Sequence, residues 1–175
     1  MKTQIRRGLF ETNSSSVHAI VIYRDTRPLK VATDSFPKNI TFSCDEFAGW
    51  DHEVFNDYQS KADYLYTCMV CMAKDNKHYL NSWKYQIMSY LALWNIECKF
   101  NKESERYATL PYLNFDYILN FIKFIMKDEI YLLDYLFNPE SFFEKGNDND
   151  NCNFDFENVS DGFSNGKQVT YKQIF

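Results

Sequence analysis

Val17–Tyr23 reads VHAIVIY, and the fold turns on how this run is taken. It is β-branched and almost continuously apolar, with no polar residue in every second place. That pattern belongs to a strand buried on both faces, inside a sheet rather than at its edge. Working outward, residues 3–10 also have strand character. The six residues between, Glu11–Ser16, suit a hairpin loop slightly longer than the common ones. ITFS (Ile40–Ser43) reads as a further strand. IECKF (Ile96–Phe100) alternates with period two and reads as another, returning to the sheet. SFF (Ser141–Phe143) and the closing QVTYKQIF have the same character. Residues 25–38 contain Pro28 and Pro37 and read as a loop or edge segment. DEFAGWDHEVFNDYQ (residues 45–59) reads as an irregular packed surface loop with room for a helical turn.

Helices fill the middle of the chain. SKAD (Ser60–Asp63) has the spacing of a capping box, and Leu65, Cys68, Met69 and Met72 follow at helical intervals. A second helix runs from about His78 to Trp94, with Leu80, Trp83, Ile87, Tyr90, Leu91 and Trp94 on one stripe. NKESER (Asn101–Arg106) reads as a solvated turn. After Pro111 a third helix places Phe115, Ile118, Leu119, Ile122 and Ile125 inward. EIYLLDYLFN (Glu129–Asn138) is a short fourth, stopped by Pro139. The expectation is α+β: a small, mostly antiparallel sheet, made of the N-terminal hairpin and later short strands, covered by about four helices. The 175 residues suit a single domain over 1–175.

Sixteen Phe and 13 Tyr imply a core built from rings, while only 5 Gly and 4 Pro argue against a low-complexity chain. Sixteen Asn, with many Lys, Ile, Phe and Tyr, point to AT-rich coding and so to a low-GC bacterium or its phage. The net charge of −5 is unevenly spread. Residues 1–38 hold seven Lys/Arg against three acids (+4), residues 128–162 ten acids against Lys145 (−9), and the remainder sums to zero. An acidic surface steers basic partners. Direct nucleic-acid binding is not expected, because phosphates call for clustered Lys and Arg.

Met1–Gly8 is polar and basic with no apolar run behind it, and no apolar stretch reaches the ~18 residues of a membrane span. The expectation is a cytoplasmic protein, in the host cytosol, with reduced thiols. Cys68-x-x-Cys71, with His78 and Cys98, has the number of ligands a zinc site needs, but the pair falls inside a helix and reads as buried thiols. GNDNDN (Gly146–Asn151) suggests a calcium loop through Asp148, Asp150 and Cys152, yet Asn153 and Val159 stand where Gly and Glu are needed. Asp51-His52-Glu53 reads as a solvated loop, since adjacent side chains point apart. No phosphate-binding or dinucleotide glycine motif is present, and no metal or cofactor is expected.

One polar stretch stands apart. Asn13 and Ser14–Ser16 readily form side-chain-to-backbone turns. The same N–H and O–H groups can hold an anion, with Arg6 and Arg7 in reach on the preceding strand. Ser16 and His18 lie two apart, on one face if extended, so a hydroxyl nucleophile (Ser15 or Ser16) with His18 as base is the catalytic alternative, with Asp25 or a distant acid to orient the imidazole.

Three stretches, IRRGLFETNSSSVHAIVI (Ile5–Ile22), SKADYLYT (Ser60–Thr67) and LFNPESFFEKGNDNDN (Leu136–Asn151), resemble a family of small uncharacterised proteins from Firmicutes and their phages that open on an F-E-T-N-S-S-S-x-H segment. The likeness spans much of the chain in order but skips residues 25–59. It implies a phage or mobile-element origin and supplies no substrate. With the charge pattern, it leads to the expectation of an accessory, anti-CRISPR-like anti-defence protein. Such a protein inhibits a host protein, for example a nucleic-acid-handling effector, by offering Asp148, Asp150, Asp155 and Glu157 where phosphates would bind. The alternative is a small enzyme or nucleotide-binding protein using Asn13–Ser16, His18, Arg6 and Arg7.

Overall fold

His18–Tyr23 forms β1, and both of its hydrogen-bonding edges are taken. The structure, a computed structural model, describes residues 18–23, 36–44, 53–74, 76–109, 115–139, 142–147 and 168–172. In chain order the elements are β1, β2 (Asn39–Phe42), β3 (Glu53–Phe55), α1 (Tyr58–Met72), α2 (Lys77–Ala92), β4 (Glu97–Phe100), a 3-10 turn (Ser104–Tyr107), α3 (Phe115–Ile125), α4 (Glu129–Phe137), β5 (Phe142–Asn147) and β6 (Gln168–Lys172). The architecture is α+β, with four helices among the described residues.

The strands form two sheets. One has four strands in the order β3-β5-β1-β6, all paired antiparallel. β1 is therefore an inner strand, as its apolar run requires. Its neighbours differ from the expected hairpin. His18 faces Asn147 of β5 on one side and Ala19 faces Lys172 of β6 on the other. Residues 3–10, the expected hairpin partner, lie outside the described residues. The second sheet corrects the antiparallel expectation. β2 and β4 run parallel, Ile40 facing Cys98 and Phe42 facing Phe100. A parallel pair needs a long crossover, and here it contains β3, α1 and α2. Glu97 N–H to the Lys38 carbonyl and Asn101 N–H to the Phe42 carbonyl, both 2.9 Å, continue the ladder at either end.

Helix α1 starts earlier than SKAD suggests. Asp57 is the N-cap, its carboxylate accepting from Ser60 N–H at 2.8 Å. Partial burial opposes its ionisation, yet hydrogen bonds from Ser60 and Gln59 hold the Asp57 carboxyl below the usual range. Asp63, the expected partner of a Ser60 cap, accepts from Ser43 N–H at 2.7 Å and so ties α1 to the end of β2. The segment 45–59, read as irregular, contains β3 and the first residues of α1.

Helix α1 is the centre of the helical core. It packs on β2, α2, α3 and α4. Its buried residues therefore go all the way round: Tyr64, Leu65, Tyr66, Cys68 and Met69 are 3 % exposed or less. Complete burial of such a side chain contributes roughly 1.5–3 kcal/mol. On α2 the buried positions are Leu80, Ile87 and Leu91, with Trp83, Tyr90 and Trp94 partly buried against the core. On α3 they are Ile118, Phe121, Ile122 and Ile125, while Leu119, expected inward, is half-buried.

The end of α2 shows why its stop falls where it does. Asn95 adopts φ 58°, in the left-handed region. Its N–H reaches the Ala92 carbonyl at 3.1 Å, and Ile96 N–H reaches the Leu91 carbonyl at 3.1 Å. This is the Schellman arrangement, and its hydrophobic contact is supplied by buried Ile96 and Leu91. Asn tolerates the left-handed region better than most residues. Asn95→Ala is expected to destabilise the fold by about 1 kcal/mol, lowering the melting temperature by roughly 2–4 °C. Asn95→Gly is expected to leave it unchanged or raise it. Thermal melts followed by circular dichroism check both.

Candidate binding surface and buried ionic clusters

Most of the residues singled out in the sequence lie outside the described residues: Arg6, Arg7, Asn13, Ser14, Ser15, Ser16, Asp25, Asp51, His52, Asp148, Asp150, Cys152, Asp155 and Glu157. His18 is placed by its backbone, as the first residue of β1. Its register partner is Asn147, the last residue of β5. Ser16 precedes His18 by two residues, and Asp148 directly follows Asn147.

Of the ten acids in residues 128–162, Asp134 turns inward, only 3 % exposed. It belongs to a cluster the sequence did not reveal. Lys61, on the first turn of α1, is fully buried, at 0 % exposed. Its Nζ donates to the Asn138 carbonyl at 3.1 Å. Asn138 Nδ2 donates to Asp134 Oδ1 at 2.9 Å, and the Tyr135 hydroxyl donates to the Lys61 carbonyl at 2.9 Å. Burial lowers the Lys61 ammonium to about 8, with the Asp134 and Asp57 charges holding it from falling further. Amines with lowered proton affinity serve as nucleophiles or bases when a substrate can reach them. Lys61 has no exposed surface, and its bond to Asn138 joins α1 to the end of α4.

A second cluster braces α2 against the parallel sheet. Lys84 Nζ is 2.7 Å from Glu105 Oε1, which also accepts from the Tyr66 hydroxyl at 2.7 Å. The ammonium sits 5.1 Å from the Tyr66 ring centroid and 5.4 Å from that of Phe100. Phe42 stacks on Phe100 at 5.2 Å, and Tyr66 closes the group at 5.2 Å from Phe100. Partial burial works against the Glu105 carboxylate, but the bonds from Lys84 and Tyr66 keep it below its ordinary range. Burial, then hydrogen bonding to Glu105, pushes the Tyr66 phenol well up. The turn NKESER, read as solvated, supplies this Glu105 and also Ser104, which is buried with its hydroxyl accepting from Cys44 N–H at 2.7 Å.

Cys68 and Cys71 are buried within α1 and form no disulfide, and His78 is exposed on α2. Burial pushes the thiols of Cys44 and Cys98 up to about 12 and about 11. Such thiols stay protonated and poorly nucleophilic at neutral pH. Among the described residues no three His, Cys, Asp or Glu side chains are grouped to hold a metal, and no helix is long and apolar enough to cross a membrane.

The surface offers a different feature. Tyr79, Tyr85, Met88 and Leu93, on α2 and its C-cap, are 56, 73, 50 and 70 % exposed. Asn81, Tyr85, Met88 and Ala92 are all exposed. At 3.6 residues per turn they fall on one face. Helix α2 contains no acidic residue, and its Lys84 is engaged by Glu105. The exposed side of the helix beyond Tyr79 is therefore uncharged and rich in large side chains. No protein-family model, curated protein or solved structure matches the chain.

Proposed function

We propose that the protein acts by binding a macromolecule and blocking it, rather than by turning over a substrate. The observation that carries this reading is the exposed, uncharged face of α2 around Tyr85 and Met88. Exposed apolar clusters of this kind mark interaction surfaces, and Tyr and Met are enriched at interface centres. The net charge of −9 over residues 128–162 adds the sign of the partner. A basic, nucleic-acid-handling protein would meet carboxylates where phosphates normally lie. The resemblance of the opening motif to small proteins of Firmicutes and their phages supports an anti-defence role, with a host effector of the CRISPR type as target, inside the host cell.

The test is affinity capture from a low-GC bacterial lysate with three proteins. These are the wild type, the fourfold variant Asp148→Lys, Asp150→Lys, Asp155→Lys and Glu157→Lys, and the twofold variant Tyr85→Ser and Met88→Ser. A partner retained by the wild type, released by raised salt and lost from the fourfold variant is expected. The twofold variant should retain at least tenfold less, equivalent to about 1.4 kcal/mol. Undiminished capture by the fourfold variant, with its circular dichroism unchanged, would end the acidic-docking reading.

A second reading, a small enzyme or nucleotide- or phosphate-binding protein using Arg6, Arg7, Asn13–Ser16 and His18, is favoured by one observation. The backbone of His18 is fixed at the head of an inner strand, beside the end of β5. On that reading, replacing Ser15, Ser16 and His18 with Ala abolishes binding of inorganic phosphate or nucleotide without lowering the melting temperature. If the segment is a structural turn, the same changes lower thermal stability and leave partner capture intact.

A further inference from the structure

The contact between α1 and the end of α4 has a geometry that packing alone does not require. Asn138 is the C-cap of α4 and stands four residues before β5. A lysine on the first turn of α1 reaches its carbonyl, while the same Asn138 anchors its amide on Asp134 and its N–H on the Asp134 carbonyl at 3.1 Å. Tyr135 grips the backbone of Lys61 in return. Beyond Asn138 the chain turns at Pro139 and enters β5, which lies between β3 and β1 in the four-stranded sheet. From this geometry we infer that the Lys61–Asp134–Asn138 cluster is a latch: it fixes the exit from α4 and so couples the β5–β1 ladder to the helical core, and the ladder can open separately when the latch is released.

The latch has a direction with pH. The groups facing Lys61 are Asp57 at the N-cap of α1 and Asp134 and Tyr135 on α4. Opening returns the Lys61 amine to water, where its ordinary value of 10.5 replaces about 8. The open state then binds more protons, so opening is favoured at lower pH and suppressed as pH rises through 8. Between pH 7 and 9 the opening equilibrium should fall about tenfold. Tyr135, pushed up mainly by its burial, would favour opening only in more alkaline solution.

Native-state hydrogen exchange on the full chain tests this, with rates corrected for intrinsic pH dependence. In Lys61→Met with Asp134→Asn, which removes both charges and so avoids stranding one, exchange of the β5 and β1 amides should rise at least tenfold relative to α1. In the wild type, the same ladder should become about tenfold better protected from pH 7 to 9, a trend absent from the double variant. Protection lost equally in α1 and β5, unchanged β5 protection, or a wild-type pH trend that persists in the double variant would each overturn the latch.

Discussion

Lys61→Met by itself is expected to destabilise the protein by about 3–5 kcal/mol, whereas adding Asp134→Asn should bring stability back to within about 1 kcal/mol of the wild type. The asymmetry follows from burial. Lys61 is 0 % and Asp134 3 % exposed, so removing the ammonium leaves a desolvated carboxylate without the cation that faces it, while Asn138 Nδ2 still donates to Oδ1 at 2.9 Å. Neutralising both removes two desolvation penalties together, and Asn at 134 keeps an oxygen for Asn138 to donate to. Urea unfolding of the four proteins of the cycle measures the coupling; additive effects would show that the two charges do not depend on each other. Linkage gives a second signature. Because burial lowers Lys61 from 10.5 to about 8, the unfolded chain binds the extra proton between those values and stability rises with pH from about 8. The gain is of order 3 kcal/mol if completed. Above about pH 9 the raised thiols of Cys44 and Cys98 act in the opposite sense, since they ionise first in the unfolded chain. The net rise is therefore confined to a narrow window, and Lys61→Met with Asp134→Asn should lose it.

Phe121→Ala is expected to be as damaging, about 3–5 kcal/mol. Phe121 is 0 % exposed on α3 and meets the rings of Tyr64 on α1 at 5.8 Å and Tyr135 on α4 at 5.9 Å, both edge-on. One truncation thus opens a cavity where three helices meet and removes two aromatic pairs, each contributing about 0.5–1.5 kcal/mol beyond buried area. Phe121→Leu keeps most of the volume and should lose less than half as much. For a domain with about 5–15 kcal/mol in total, the alanine variant should melt well below the wild type. If the two variants have equal melting temperatures, the site collapses more freely than this packing allows.

What the sequence disclosed divides along local and non-local lines. VHAIVIY announces an inner strand because burial on both faces needs a continuous apolar run. Its partners are hidden, because β5 and β6 come from more than 100 residues away, at 142–147 and 168–172, and no local pattern names them. The stripes of α2 and α3 were visible because each buries one side. The core helix α1 was seen through four of its positions only, since a helix surrounded by β2, α2, α3 and α4 has no polar face to set the period. Its start reads as Ser60 because SKAD has capping-box spacing, but Asp57 caps Ser60 N–H and Asp63 is drawn away by Ser43. Lys61 sits within SKAD, where no local pattern marks it for burial, and the approach of α4 buries it. Ser104 and Glu105 lie in a polar turn and go unmarked for the same reason, their surroundings set by Cys44, Tyr66 and Lys84 from elsewhere in the chain. The exposed face of α2 left a trace in its absence of acids, overshadowed by the apolar stripe opposite.

The claim that binding, with carboxylates in the place of phosphates, is the activity has one direct measurement. A fluorescently labelled oligonucleotide is bound to the captured host partner, the protein is titrated in, and anisotropy is followed. The account predicts release of the oligonucleotide by the wild type at stoichiometric concentration and none by the fourfold Asp148, Asp150, Asp155 and Glu157 to Lys variant. An oligonucleotide that stays bound under saturating wild-type protein, or one released equally well by the charge-reversed variant, would contradict it.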